Sequence, residues 1–275
     1  MSRIAYDPVK DRFAAIIRNK RFLRTLFYKL LDLFFLRSWY IRHLLKKHAA
    51  SFDASPWKLL DAGCGFGQYD RFILQQFDNV SVQSVDVKED YLDDCKSYFS
   101  EAIKNERIKF WQADLLSLQL PQQFEFAICV DVLEHIAEDE RVIRNIYDHL
   151  KPGGYFLMHS PSIYSEEDAD GDDSFVDEHA RVGYSKDDIG QKLRRSGLEP
   201  VEIAYTYGRK GHLAWELLIK RPMLWMNRLK LWALPLMTIY YIFTLPVGLL
   251  LMKLDMHDTN EKGTGIYALA KKGKG

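Results

Sequence analysis

The chain has 275 residues, with 38 Lys plus Arg against 38 Asp plus Glu and 47% hydrophobic residues. That length suits one well-buried core with a small accessory layer and excludes two full-sized domains beside a membrane bundle. With 28% charged and 13% aromatic residues, it is no disordered chain.

The zero net charge is a sum of opposing patches. From Met1 to His48 there are 12 Lys or Arg against Asp7, Asp11 and Asp32, and between Ile163 and Asp188 ten acids face only Arg181 and Lys186. Apolar residues at Phe13, Ile16, Ile17, Leu23, Leu26, Phe27, Leu30, Leu31 and Phe34 recur near the helical period. They predict a basic N-terminal helical cap in two pieces over residues 1–50, which packs on a core and can also touch anionic lipid.

After the linker Ser51 to Pro56, KLLDAGCGFG reads as a short strand running into glycines, with a helix over Tyr69 to Gln76. Strands follow at Val80 to Val85, Arg107 to Trp111, Phe124 to Val130 and Tyr155 to His159, with helices over Tyr91 to Ile103 and Asp139 to Leu150. An acidic loop leads to a helix over Ser185 to Ser196, a strand over Pro200 to Tyr207, a long insertion and a last strand over Gly265 to Ala270. Strands alternating with helices predict an α/β fold, a doubly wound and mostly parallel seven-stranded sheet with helices on both faces. The expected organisation is a cap at 1–50, a core at 51–208, a hydrophobic helical insertion at 209–263, and a final strand and tail at 264–275.

Cys64, Cys95 and Cys129 are irregularly spaced, so neither a disulfide framework nor a zinc site is expected, and a reducing cytoplasmic setting fits. The acidic stretch Glu166 to Asp173 has no calcium-loop pattern, so no metal is expected. The basic patch is interleaved with large aliphatics and no recognition domain has room to hide, which argues against nucleic acid.

Asp61, Gly63, Gly65 and Gly67 form D-x-G-x-G-x-G at the end of the first strand, a tight strand-to-helix turn expected to offer a nest of backbone N–H donors. A nicotinamide dinucleotide site uses a similar turn with an acid about 20 residues on, and Gly67 to Asp86 is 19 residues. Spacing alone does not choose between them.

The neighbouring motifs do. Asp86, Asp114 in WQADL, Asp131 with Leu133, Glu134 and His135 in CVDVLEHI, and KPGGYFL from Lys151 follow in order. With the glycine turn, these resemble the class I S-adenosylmethionine-dependent methyltransferases, in the small-molecule group of quinone-biosynthesis methyltransferases. The resemblance implies S-adenosylmethionine as cofactor. It also implies that Asp61, Gly63 and Gly65 enclose the amino-acid part, that Asp86 binds the ribose hydroxyls, that Asp114 lies beside the adenine amino group, and that Asp131 marks the fourth-strand motif.

Methyl transfer to a hydroxyl needs somewhere for a proton to go, and His135 and His179 are the candidate bases. Glu178 could orient His179, and Arg181 and Tyr184 complete a segment expected over the site mouth. The alternative for these residues is a loop lock, with Ser185 capping the next helix and Asp188 assisting.

Trp232 to Met252 is a run of 21 uncharged residues, long enough for a bilayer. One crossing would separate two strands that belong to one sheet. Pro235 and Pro246 suggest a bent or hairpin-like element lying in one leaflet, flanked by Lys220, Arg221, Arg228, Lys230 and Lys253, with an internal hairpin or a homodimer contact as alternatives. The expected function is methyl transfer to an oxygen of a small or lipid-linked acceptor by a cytoplasmic enzyme peripheral to a membrane. An NAD-dependent oxidoreductase and a non-catalytic membrane-associated scaffold are the alternatives.

Overall fold

The computed structural model describes residues 21–165, 180–229 and 233–274. Two cap helices, α1 (Arg21–Phe34) and α2 (Leu36–Ala49), meet at Phe35, whose extended backbone breaks the helix. The core continues through β1 (Trp57–Ala62), α3 (Gln68–Gln76), β2 (Val80–Asp86), α4 (Glu89–Tyr98), α5 (Ser100–Lys104), β3 (Ile108–Gln112) and β4 (Phe124–Val130). It ends with α6 (Asp139–His149), β5 (Leu150–Pro161), α7 (Lys186–Arg195) and β6 (Leu198–Thr206), then the insertion helices α8 (Arg209–Trp215), α9 (Arg221–Leu229) and α10 (Ala233–Asp255), and β7 (Gly265–Lys272).

The seven strands lie in the order β3-β2-β1-β4-β5-β7-β6, parallel except for β7, which runs antiparallel to both neighbours. Strand order reverses between β1 and β4, and crevices for ligands open outside the carboxyl ends of strands at such a switch point. Alternation along each strand serves two cores. Leu59, Phe126, Ile128 and Leu157 face α2, α3 and the insertion, whereas Leu60, Ala127, Cys129 and Phe156 face α6 and α7. Both faces are covered, which is why the central strands are apolar along their whole length.

The insertion corrects one expectation. From Ala233 on, the uncharged run is a single helix, α10, continuous through Pro246. Pro235 falls in its first turn, where a missing N–H costs nothing. The hairpin is made instead by α8 and α9 against α10. A π-helical turn at Glu216–Lys220 joins α8 to α9, and two carbonyls there, of Leu217 and Leu218, accept from the hydroxyls of Tyr240 and Tyr241 at 2.9 and 2.8 Å. Gly248 lets α10 lie against Leu218, since a Cβ there would stand 2.6 Å from its side chain. The hairpin leaves β6 and returns to β7, its antiparallel neighbour, so it begins and ends on one sheet.

The opposite side of α10 is bare. Ile239, Ile242, Phe243, Val247 and Leu250 are each at least half exposed. Among the described residues, Pro235–Asp255 is the one stretch long and apolar enough, by length and composition, to cross a membrane.

Candidate active site

The glycine turn follows β1, and its three glycines answer different demands. Gly63, at φ +90, lies so close to Val132 that a Cβ would stand 2.4 Å from its side chain, so it allows the β1 and β4 turns to pack together. Gly67, at φ +71, is the residue before α3, and a Cβ there would stand 2.8 Å from Phe99. Gly65, at φ +50, has nothing within 4 Å of the same position. It is the point in the loop where a ligand can approach the backbone.

The expected nest of free N–H donors is not what forms. Gly63 and Cys64 both donate to Val85 O, Gly67 donates to Cys64 O, and Gly65 donates to Asp86 Oδ2 at 2.8 Å. The loop instead presents an open Cα face, with its amides holding β2 and the Asp86 carboxylate in place. Asp86 also accepts from Lys88 N at 2.9 Å, which fixes the carboxylate at the carboxyl end of β2. Asp114 is exposed after β3 and accepts from Leu116 N at 2.9 Å as the cap of a short 3-10 turn.

Behind the loop, Asp61 and Asp70 are both buried. Burial pushes the Asp61 carboxyl well above the usual range, and the neighbouring Asp70 adds to this. Burial likewise raises Asp70 to about 7, against the hydrogen bond it accepts from Ser84 at 2.8 Å. Two facing carboxyls in a dry interior cannot both ionise, and one shared proton satisfies both. Asp61 Oδ2 otherwise has no hydrogen-bond partner.

The carboxyl end of β4 carries a network that sequence reasoning missed beyond Asp131 itself. Asp131 has φ +53, a left-handed conformation unfavourable by roughly 1 kcal/mol for a residue with a Cβ. Its amide donates to His159 O at 2.9 Å. Its carboxylate pairs with the Arg37 guanidinium from α2 and accepts from His159 Nδ1 at 2.9 Å. A carboxylate only accepts, so Nδ1 carries the proton, and Nε2 accepts from the Thr206 hydroxyl at 3.1 Å. Burial, reinforced by Arg37, lowers His159 to about 3. Arg37 already balances the Asp131 charge, so the imidazole stays neutral and orients the carboxylate, and it is no base near neutrality.

Arg37 had no local signature, being one basic residue among many in the basic cap. Its backbone N–H donates to Tyr207 Oη at 3.1 Å, which registers the cap against the end of β6. The other cap helix grips the glycine loop. Arg24, 6% exposed, donates to Phe66 O at 3.0 Å and to Tyr28 Oη at 2.7 Å, and the Tyr28 hydroxyl donates to the same carbonyl. The Phe66 ring in turn lies 4.4 Å from that of Tyr91.

The remaining expected residues are dispersed. His135 is exposed on the 3-10 turn Leu133–His135 that follows β4, while the adjacent Glu134 is buried and accepts from Ser160 Oγ at 2.6 Å. Glu178 and His179 lie outside the described residues. Arg181 is turned inward: it pairs with Asp139 at 2.7 Å and donates to the carbonyls of Ile136 and Ala137, both at 2.9 Å. Tyr184 is fully buried and donates to Asp139 Oδ2 at 2.7 Å. These two residues form a loop lock with Asp139 as its carboxylate. Ser185 caps α7 by accepting from Asp188 N at 3.1 Å. Among the described residues no His, Cys, Asp or Glu cluster is placed to hold a metal.

The site residues fit S-adenosylmethionine. The open Gly65 face leaves room for it, Asp86 and Asp114 can accept from a ribose diol and an exocyclic amine, and the buried Asp61 oxygen and Arg37 suit an ammonium and a carboxylate.

Comparisons with known proteins agree with this geometry. Residues 59–154 match the family described as methyltransferase domain. A ubiquinone biosynthesis O-methyltransferase of Rickettsia akari is 26% identical over 120 residues, covering 43% of this chain and 46% of that protein. The chain thus spans less than half the length of the curated relatives it matches. Among solved structures, a putative sarcosine dimethylglycine methyltransferase from Galdieria sulphuraria superposes with TM-score 0.58 at 16% identity, covering 86% of this chain and 87% of that one. The [4+2]-cyclase SpnF superposes with TM-score 0.53 at 20% identity, covering 80% and 76%. The chain has a class I S-adenosylmethionine-dependent methyltransferase fold and resembles the small-molecule and quinone-biosynthesis members of that class. Likeness to a cyclase is a reminder that the fold hosts more than one chemistry.

Proposed function

We propose that the protein transfers a methyl group from S-adenosylmethionine to an oxygen of a small or lipid-linked acceptor at a membrane surface. The observation that carries the cofactor half is the convergence, at one end of the sheet, of the open Gly65 face, the Asp86 carboxylate held by Gly65 N–H, and the Arg37–Asp131 pair. When bound, the cofactor supplies an electrophilic methyl on its sulfonium. Asp86 and Asp114 would hold its nucleoside, Arg37, still paired with Asp131, would attract its carboxylate, and the buried Asp61 carboxyl would accept from its ammonium. His135 and His179 are the groups proposed to take the acceptor's proton, with Glu178, Arg181 and Tyr184 ordering the segment between them. Oxygen as the acceptor atom follows the curated relatives, which are ubiquinone biosynthesis O-methyltransferases.

The membrane half rests on the bare apolar side of α10 and on Met223 and Leu224 of α9, both 41% exposed. Leaving this much contiguous apolar surface in water is unfavourable at about 25 cal/mol per Å². The helix lies along the cytoplasmic face of a bilayer, and the acceptor reaches the site from the lipid. A homodimer using the same surface is the competing occupant.

Incubation with isotopically methyl-labelled S-adenosylmethionine and separate lipid and soluble extracts tests the reaction. Label transfer by wild type and its loss in Asp86→Ala support it, whereas cofactor binding with no methylated product from either extract would sink the methyl-transfer reading. Flotation with liposomes tests the surface: Ile242→Glu with Phe243→Glu should abolish co-flotation, and unchanged flotation would remove α10 as the contact.

A further inference from the structure

Away from the cofactor crevice, an open groove of about 610 Å³ runs between α1, α2 and α3, with Met256 also in its lining. Its charge is one-sided. Lys29 from α1, Arg42 and Lys46 from α2, and Arg71 from α3 face a single carboxylate, Asp32, with His43 beside them.

Helical spacing makes this arrangement deliberate in form. Arg42 and Lys46 stand four residues apart on α2, as do Trp39 and His43, and Arg71 and Gln75 stand four apart on α3, so each helix turns one face to the same groove. Like charges at that spacing repel, and Asp32 does not quench them. It is already shared by Arg42 at 3.2 Å, Arg71 at 3.8 Å and the Gln68 amide at 3.0 Å.

The cations are also held in position. Arg42 stacks over the Phe72 ring at 4.5 Å and Lys46 lies 5.8 Å from the same ring. Stacking engages the π face of a guanidinium and leaves the N–H edge for an acceptor. Arg71 is mostly buried and its Nε–H has no hydrogen-bond partner among the described residues. Beside a surplus of fixed positive charge, these guanidinium groups are suited to a multivalent oxyanion.

We propose that this groove is a phosphate-binding subsite, taking a phosphate group either free in solution or on a phospholipid headgroup. Guanidinium edges from α2 and α3 bind the phosphate oxygens, and Lys29 and Lys46 supply charge at the mouth. The proposal is independent of the methyl-transfer reading, because none of these residues holds the cofactor.

The test uses the full chain and two probes. Isothermal titration with inorganic pyrophosphate measures the soluble form. Flotation with phosphatidylcholine vesicles, with and without phosphatidylglycerol, measures the lipid form. Lys29→Gln with Lys46→Gln changes only exposed side chains and keeps the fold, and Arg42→Gln tests the stacked guanidinium. Affinity for the productive probe should fall at least tenfold in the double variant and further with Arg42→Gln, while S-adenosylhomocysteine binding stays at the wild-type value. A pyrophosphate response assigns a soluble phosphate ligand. Phosphatidylglycerol-dependent flotation that the variants lose assigns a headgroup. Binding of neither probe, or equal binding by wild type and variants, would overturn the proposal.

Discussion

Replacing His159 with Gln keeps both hydrogen bonds at that position, since the amide nitrogen can donate to Asp131 and the amide oxygen accept from Thr206. It removes the one titration the imidazole carries. His159 sits near 3 because it is buried and close to Arg37, against about 6.5 for an imidazole in the unfolded chain. Between these values the unfolded chain binds a proton that the native protein refuses. The contribution of His159 to stability is therefore complete above about pH 6.5 and is lost as pH falls below it. At a pH of about 4.5 the loss is about 2.7 kcal/mol, from roughly 1.36 kcal/mol per pH unit. The Asp61–Asp70 pair acts in the opposite sense: its raised folded-state values stabilise the protein at low pH, and that contribution is lost as pH rises through about 7. Wild type alone shows the sum. Urea unfolding followed by tryptophan fluorescence, run on wild type and His159→Gln from about pH 7.5 to about 4.5, separates the two. The variant should gain on wild type by about 2.7 kcal/mol across that range. A difference that does not change with pH would refute a neutral, buried imidazole.

The glycine turn supplies a paired expectation. Gly65→Ala meets open space and a left-handed φ, so it should cost only about 1 kcal/mol of stability while weakening S-adenosylhomocysteine binding more than tenfold by titration calorimetry; undiminished binding would take the loop out of the site. Gly67→Ala adds a clash with Phe99 to the same backbone penalty and should cost roughly 2–4 kcal/mol, read as a drop in the thermal midpoint with or without ligand. Ser185→Ala removes the α7 cap and should cost about 1 kcal/mol in urea unfolding, with cofactor affinity unchanged.

Much of the fold was legible because its signals are local. Short apolar runs ending at acids, a glycine turn after the first strand and the Pro-Gly-Gly ahead of Tyr155 each depend on a few neighbouring residues. They predicted the seven strands and the end of the sheet where ligands bind. Asp86 was legible for the same reason, since a strand end and a glycine turn a fixed distance upstream place it. Arg37, His159 and Thr206 were not. They come from α2, β5 and β6, and nothing near any of them in the chain announces Asp131 as a partner. Nor was the partner of Arg181 and Tyr184 legible: they stand just before a helix, and it is the distant Asp139 that holds both.

Sequence by itself determined the class of the protein: an α/β sheet with a cofactor turn, a basic cap and an uncharged insertion that starts and ends on one sheet. Backbone preference and side-chain periodicity act over a few residues, so they survive without tertiary information. Tertiary structure decided which charges are used and which stay in surplus. It buried Arg24 against the glycine loop, paired Arg37 with Asp131, and left Lys29, Arg42, Lys46 and Arg71 around one shared carboxylate. It also kept α10 continuous through Pro246, with α8 and the π turn against one side of the helix while the other stays bare. A charge or an apolar face acquires its meaning from what the fold sets opposite it, and that pairing is a property of space and not of chain order.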